Sequence, residues 1–195
     1  MEIRRRLRWI FRTEKINVWA FKALEIAFVY YMMGLGEKPK DIRHKMEALG
    51  RYMGDLIYIG YHAQVGDAAR DIMDLGRVAN EFYMFLFGEG LDKIYYRFAD
   101  DNTISIHLIS FDGFPTCREI SSPHPEIKFG SFIMGGINRV LEIKKEELQY
   151  MYASCWEDKC IATGDDHCEA IIRFIVPKNI YREMRSRYGD EYHVK

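Results

Sequence analysis

Apolar residues recur with helical spacing through the first half of the chain. The pattern predicts helices over residues 14–34, 41–60 and 67–87. The clearest apolar stripe belongs to the third of these helices and consists of Ile72, Leu75, Gly76, Ala79, Phe82, Tyr83 and Leu86. In the second helix, Gly50 and Gly54 are four residues apart. Because glycine weakens a helix, we expect a packing reason for both, namely the close approach of another backbone.

Beyond residue 92 the apolar pattern changes from a helical to an alternating period. Within residues 93–110, apolar and polar residues alternate on both sides of the turn sequence ADDN, and this pattern predicts a β-hairpin. An irregular linker that contains prolines follows over residues 112–128, and a helix is predicted over residues 129–148. Two strands are then predicted over residues 149–156 and 167–177, and a short final helix over residues 179–188. Strands that are grouped as hairpins are typical of α+β proteins. We therefore expect an α+β fold, in which an antiparallel sheet of hairpins packs with the N-terminal helices and one intervening helix.

The most apolar stretch, residues 16–36, raises the question of a membrane segment. Lys22 and Glu25 interrupt its middle, and each would be costly at the centre of a bilayer. The preceding RRRLRW could instead bring the chain to an anionic membrane surface. We expect a buried or dimer-facing helix. On this basis we expect residues 1–44 to form a basic segment and apolar helix that belong to the same fold or to a dimer face.

Charge balance and aromatic content narrow the class of function. The chain has 28 basic and 29 acidic residues, so it lacks the strongly basic character of nucleic-acid-binding proteins. Its 13 Tyr, 12 Phe and 3 Trp can build a core, a dimer interface or an apolar ligand pocket. Together, the apolar first helix and the glycine-bearing second helix favour a homodimer.

The four cysteines are unevenly distributed. Cys155, Cys160 and Cys168 fall within fourteen residues, whereas Cys117 lies in the proline-containing linker. The arginine-rich start lacks the cleavage pattern of a secretory signal, so we expect a cytoplasmic location. In that compartment clustered cysteines are more often metal ligands or reactive thiols than disulfides.

The stretch YASCWEDKCIATGDDHCEAIIRF reads as two strands joined by a turn. Such a hairpin would bring Cys160 close to Cys168, with Glu157 nearby on the first strand. Two thiolates and a carboxylate make most of a tetrahedral zinc site. The candidates for the fourth ligand are Cys117, Cys155, His124, His167 and water. Inert thiols are the main alternative, and a disulfide across the hairpin is disfavoured by the compartment.

This spacing resembles the closing signature of the 4-vinyl-reductase domain family. The resemblance rests on Glu157, on Cys160 after two further residues, and on Cys168 after seven more that contain GDDH. The upstream stretches LGRYMGDLIYIG and FGSFIMGG are similar to the two glycine-bearing helices of the family. The family includes the small-molecule domains of phenol-responsive bacterial activators and a protein of bacteriochlorophyll synthesis. Its fold is related to subunits of a Golgi vesicle-tethering complex.

The resemblance implies that residues 45–195 form a 4-vinyl-reductase-like domain that contains zinc and binds a small hydrophobic or aromatic ligand. In the phenol-responsive members, the glutamate and both cysteines of the signature bind zinc with one upstream cysteine, for which Cys117 is the candidate here. Such a mostly thiolate site is structural rather than catalytic. His107, on an alternating strand, could hydrogen-bond a ligand hydroxyl.

Two other functions stay open at this point. One is a reductase or accessory protein that acts on a vinyl tetrapyrrole, and the other is a structural dimeric adaptor. We assign no catalytic residue, because the sequence contains no phosphate loop, nucleophile elbow or dinucleotide fingerprint. Whether the protein is an enzyme is therefore left undecided by the sequence, which favours a binding module.

Overall fold

A computed structural model describes residues 18–65 and 69–194. Within these ranges five α-helices, α1 to α5, span Val18–Gly34, Pro39–Val65, Leu75–Phe87, Ser131–Leu148 and Lys178–Tyr188. Five strands, β1 to β5, span Lys93–Ala99, Thr103–Ser110, Tyr152–Lys159, Cys168–Ile175 and Glu191–His193. Two short 3₁₀ helices cover Ile72–Asp74 and Ile161–Thr163.

The five strands form one antiparallel sheet in the order β3-β4-β2-β1-β5. β1 and β2 make the first hairpin, with Lys93 opposite Ile109. β3 and β4 make the second hairpin, and β4 also pairs with β2, where Ser110 lies opposite Cys168. The predicted hairpins thus lie side by side, and the predicted α+β fold is confirmed.

The two faces of the sheet carry different side chains, because successive residues of a strand point to opposite sides. We call the face toward α3 and α4 the inner face; it includes Ile106, Leu108, Cys168, Ala170 and Ile172. The outer face includes Ser105, His107, Glu169, Ile171 and Arg173. The core lies between the inner face and the helices.

Helices α2 and α4 approach each other at glycines. A Cβ atom added at Gly50 would lie 1.9 Å from the carbonyl oxygen of Phe132, and one added at Gly135 would lie 2.0 Å from that of Glu47. Gly54 also faces α4. The close backbone approach predicted for the glycine-bearing second helix is therefore confirmed.

The third helix begins later than predicted. The apolar pattern placed its start at residue 67, whereas α3 begins at Leu75 after a 3₁₀ turn. The carboxylate of Asp71 accepts hydrogen bonds from the backbone amides of Met73 at 2.8 Å and Asp74 at 3.1 Å. Asp71 therefore caps the helical segment that begins at residue 72. The spacing of apolar residues alone does not indicate this start.

One predicted strand needs correction, and one strand of the sheet was not predicted. The first strand of the second hairpin was predicted over residues 149–156 but spans Tyr152–Lys159, since Gln149, with φ of 54°, still belongs to the left-handed end of α4. The last strand, β5, was not predicted. Its three residues are too few for an alternating pattern, and they form a strand only because Tyr192 and its neighbours pair with β1.

Helix α1 lies over the linker and the start of α4. The ring of Phe21 packs edge-on against Phe132 at 5.2 Å between centroids, and the buried ammonium of Lys22 donates to the carbonyl oxygen of Arg118 at 2.6 Å. In the described ranges, no helix combines the length and apolar character that crossing a membrane requires.

Candidate metal centre and adjoining cavity

A β-bulge on β3 directs two side chains of the predicted signature to the inner face. Residues three apart on a regular strand point to opposite faces. The pairing of β3 with β4 shifts register between Glu157 and Lys159, which adds one residue to β3. As a result both Glu157 and Cys160 are buried, while Asp158 between them is exposed.

The turn after Cys160 returns the chain to Cys168. The carboxylate of Asp165 accepts a hydrogen bond from the backbone amide of Cys160 at 2.8 Å. Gly164, with φ of 99°, takes the left-handed conformation that a tight reversal needs. The amide of Ile161 points at the sulfur of Cys168, with 3.4 Å between nitrogen and Sγ. The hairpin therefore brings the two cysteines together as predicted.

The proline-containing linker folds back and adds Cys117 to this pair. The backbone amide of Cys117 donates to the carbonyl oxygen of Phe114 at 2.7 Å, which makes a tight turn. Farther along, the amide of Ser122 donates to the carbonyl oxygen of Ala162 at 2.7 Å and ties the linker to the turn after Cys160. Sequence reasoning named Cys117 as a candidate, and the linker places it beside the signature.

The four residues form one buried cluster. One ligand atom from each of Cys117, Glu157, Cys160 and Cys168 lies within 4.8 Å of the other three. All three cysteines are fully buried and Glu157 is 6% exposed. Glu157 Oε2 accepts from the backbone amide of Gly130 at 2.8 Å, and Cys117 Sγ donates to Glu157 Oε1 at 3.4 Å. Three sulfurs and a carboxylate in this arrangement could hold a metal ion.

Hydrogen bonding and burial set the protonation of the cluster. The neighbouring thiols of Cys117 and Cys160 favour the ionised form of Cys168 and lower the pKa of that sulfur well below its usual range. Burial raises the pKa of Glu157 to about 8, and the negative charge of Cys168 acts in the same direction. Hydrogen bonds with Cys160 and Cys168, followed by burial, raise the pKa of the Cys117 thiol well above its usual range. The protein thus gathers four titratable ligand groups where solvent cannot stabilise the charge that they carry when ionised.

The other candidates for the fourth ligand lie elsewhere. Cys155 is buried against Met134, with 3.2 Å between Sγ and Sδ. The Nδ1 atom of His124 accepts from the amide of Glu126 at 3.2 Å. His167 contacts Asp166 at 2.7 Å, outside the cluster. All four cysteines of the chain are free thiols in the structure.

His107, the predicted ligand-binding residue, lies on the outer face of the sheet. Its Nδ1 atom is 2.6 Å from the carboxylate of Glu169, and its Nε2 atom is 3.1 Å from Ser105 Oγ. The imidazole stacks on the ring of Tyr95, with 4.4 Å between centroids. The ligand role of His107 stays a prediction, and the structure separates this residue from the cavity on the inner face.

An apolar cavity of about 140 Å³ lies between the inner face, α3 and α4. Its lining includes Val78, Phe82, Tyr83, Leu108, Phe114 and Ile137. The cavity also reaches Thr116, next to Cys117, and Gly130, whose amide binds Glu157. The cavity and the cysteine cluster are therefore neighbours.

Two residues near the cluster were not assigned a role from the sequence. Glu25 was noted only as an interruption of the apolar segment, yet it is 5% exposed, and both of its oxygens lack a hydrogen-bond partner among the described residues. Burial and then the charge of Glu157 raise its pKa well above the usual range. Gly130 lies within the quoted stretch FGSFIMGG. A Cβ atom there would lie 2.7 Å from Glu157 Oε2, so the seat of that carboxylate requires glycine.

Comparison with known proteins places the fold. No family model matches the sequence, and no curated protein matches it. A crystal structure of trafficking protein particle complex subunit 3 from Naegleria fowleri, covalently bound to palmitic acid, aligns with a TM-score of 0.63 and 22% identity over 83% of this chain and 96% of that chain. The chain shares the fold of that subunit.

Two further solved structures resemble the chain less closely. A vinyl-4-reductase family protein from Methanocaldococcus jannaschii aligns with a TM-score of 0.43 and 15% identity, over 85% of this chain and 86% of that one. An H-NOX protein from S. oneidensis aligns with a TM-score of 0.41 and 20% identity, over 77% and 73%. With TM-scores below 0.5, neither alignment supports a conclusion about this chain.

Proposed function

We propose that the protein is a small-molecule-binding module in which zinc braces the C-terminal hairpin and a hydrophobic or aromatic ligand occupies the inner cavity. The observation that carries this proposal is the convergence of Cys117, Glu157, Cys160 and Cys168 on one buried point. The cavity beside that point supports the second half of the proposal.

The donor set suits zinc better than other common metals. Thiolate sulfur is the preferred partner of zinc, whereas magnesium and calcium prefer oxygen ligands. Four protein ligands close a tetrahedral site, which is the arrangement of structural zinc. When bound, the ion supplies a positive charge that joins the linker to the hairpin, and its binding energy becomes folding energy.

The cavity suits a small apolar body. A dry apolar cavity of about this size accepts benzene. Aromatic and aliphatic side chains from α3, α4 and β2 surround the space. The fold is also compatible with apolar cargo, since the Naegleria protein with this fold is described as bound to palmitic acid. We therefore infer that the occupant has an aromatic ring or a short acyl chain.

A homodimer through α1 and α2 completes the proposal. These helices expose many large apolar side chains, several of them by more than half, including Trp19, Leu24, Tyr31, Tyr52 and Leu56. A surface of this kind is typical of a protein–protein interface. Because the first helix also contacts the linker that carries Cys117, a partner on this surface would sense the state of the metal centre.

Native mass spectrometry of gently purified protein tests the ligand half of the proposal. We expect a mass above that of the chain and its metal, and we expect this excess to vanish on denaturation. The variant Ala79→Phe, which fills the cavity, should lose the excess mass. The control Ala99→Phe adds the same side chain at an exposed position and should keep it. Protein that is always empty, and that binds no aromatic probe, would contradict the ligand-binding function.

A further inference from the structure

An arginine–glutamate pair lies next to Tyr83, one of the residues that line the inner cavity. The ring of Tyr83 lines the cavity, and its hydroxyl is 3.4 Å from Glu89 Oε1. The guanidinium of Arg118 binds the same carboxylate through two hydrogen bonds, Nη1 to Oε2 at 3.0 Å and Nη2 to Oε1 at 2.6 Å. Both side chains are about one-third exposed. The pair thus lies between the apolar space and solvent.

Arg118 is held in place without the help of Glu89. Its Nε atom donates to the carbonyl oxygen of Gly113 at 2.8 Å, and its own amide donates to the carbonyl oxygen of Phe114 at 3.2 Å. Its carbonyl oxygen accepts from the buried ammonium of Lys22 at 2.6 Å. The guanidinium is therefore preorganised to receive a planar carboxylate.

Glu89 is held far less firmly. It lies in the GEG segment after α3, between Gly88, with φ of 80°, and Gly90. Within residues 18–65 and 69–194, its polar partners are Arg118 and, at the longer distance, the Tyr83 hydroxyl. The pair is about one-third exposed, so solvent screens its attraction and lowers the cost of separating it. Glu89 can therefore leave Arg118 at low cost when another carboxylate replaces it.

We propose that the cavity selects small carboxylic acids, whose apolar body fills the space beside Tyr83 and whose carboxylate takes the place of Glu89 on Arg118. This inference rests on the proposed function, because it needs the cavity to bind a ligand. It adds the chemical class of that ligand and the residue that recognises it. Phe114 lines the cavity four residues before Arg118, so one short loop supplies both an apolar wall and the anion-binding group.

Calorimetric titration of the metal-containing protein with three probes of nearly equal shape tests the inference. The probes are phenylacetate, phenylacetamide and 2-phenylethylamine. A charge-assisted bidentate contact should make phenylacetate bind about tenfold more tightly than the amide, and the amine should bind most weakly. Equal affinity for all three would overturn the carboxylate inference and leave the cavity function intact. Failure of every probe, and of toluene, would overturn both.

Variants identify the recognising residue. Arg118→Gln should remove the preference for phenylacetate over the amide, and Arg185→Gln should keep it, because Arg185 pairs with Asp100 and Asp190 away from the cavity. Glu89→Gln removes the competing carboxylate, so phenylacetate should bind several-fold more tightly. This second variant leaves the contacts of Arg118 to the linker intact and decides the matter if Arg118→Gln does not fold. Unchanged or weaker binding of phenylacetate by Glu89→Gln would overturn the inference.

Discussion

On the inner face of the sheet, β4 supplies Cys168 to a buried cluster of sulfur and carboxylate ligands, and on the outer face the next residue, Glu169, binds His107. The outer polar groups satisfy one another: Glu169 Oε1 lies 2.6 Å from His107, and Glu169 Oε2 lies 3.7 Å from His167. The inner cluster instead gathers three thiols and an acid whose pKa values are strongly shifted. Shifted pKa values cluster at functional sites, so the inner cluster is the candidate site, whereas the polar groups of the outer face are paired with one another.

The largest effect should follow from removal of an inner ligand. Cys160→Ser replaces a thiolate that converges on the proposed zinc, so the hairpin and linker lose their common anchor. We expect the free energy of unfolding to fall by more than about 4 kcal/mol, as is usual when a structural metal is lost. Thermal and urea unfolding measure the change. Cys155→Ala, at a buried cysteine outside the cluster, should keep its metal. Equal losses in the two variants would argue against the metal centre.

A smaller loss of stability is expected from a substitution at Gly130, whose backbone amide binds the carboxylate of Glu157. In Gly130→Ala the new methyl group would lie 2.7 Å from Glu157 Oε2, so the carboxylate or α4 must shift. Such overpacking costs about 1–3 kcal/mol of unfolding free energy and should weaken metal retention against a chelator. Gly34→Ala is the control, because an added Cβ atom there meets no other atom within 4 Å. Unchanged retention in Gly130→Ala would mean that Glu157 is not a ligand.

The smallest effect on ligand binding and metal content should come from a substitution on the outer face of the sheet. His107→Gln removes a buried hydrogen bond to Glu169, which costs about 0.5–1.5 kcal/mol of stability. Binding of the cavity ligand and the metal content should be unchanged, since the imidazole points away from the cavity. Titration of a phenyl probe compares the variant with the native protein. Loss of ligand affinity at equal stability would instead support the sequence-based prediction for His107 and place a ligand on the outer face.

The sequence predicted the class of fold and most of the cysteine–glutamate cluster, because both leave local patterns. Alternating residues predicted the two hairpins, and the spacing of Glu157, Cys160 and Cys168 predicted their convergence. The bulge that turns Glu157 and Cys160 to the same face has no comparable signal, since it depends on the pairing of β3 with β4. The sequence also could not predict contacts between residues that are far apart in the chain. The approach of Cys117 depends on a turn and on the Ser122 contact in an irregular linker.

The cavity and its edge were the least predictable parts. Aromatic content indicated an apolar pocket, but the helices that surround it are far apart in the chain. Arg118 and Glu89 are separated by 29 residues and meet only when the linker packs beside the end of α3. Glu25 drew notice from the sequence as a charge in an apolar helix. Its burial near Glu157 became evident only when α1 was placed over the linker.

Elemental analysis of the purified native protein tests the central claim most directly. The account predicts about one zinc ion per chain, retained through gel filtration, because three thiolates and a carboxylate fill the tetrahedral coordination of one ion. Cys160→Ser, purified in the same way, should lose the metal. Native protein that is fully folded without zinc or any other metal would contradict the account.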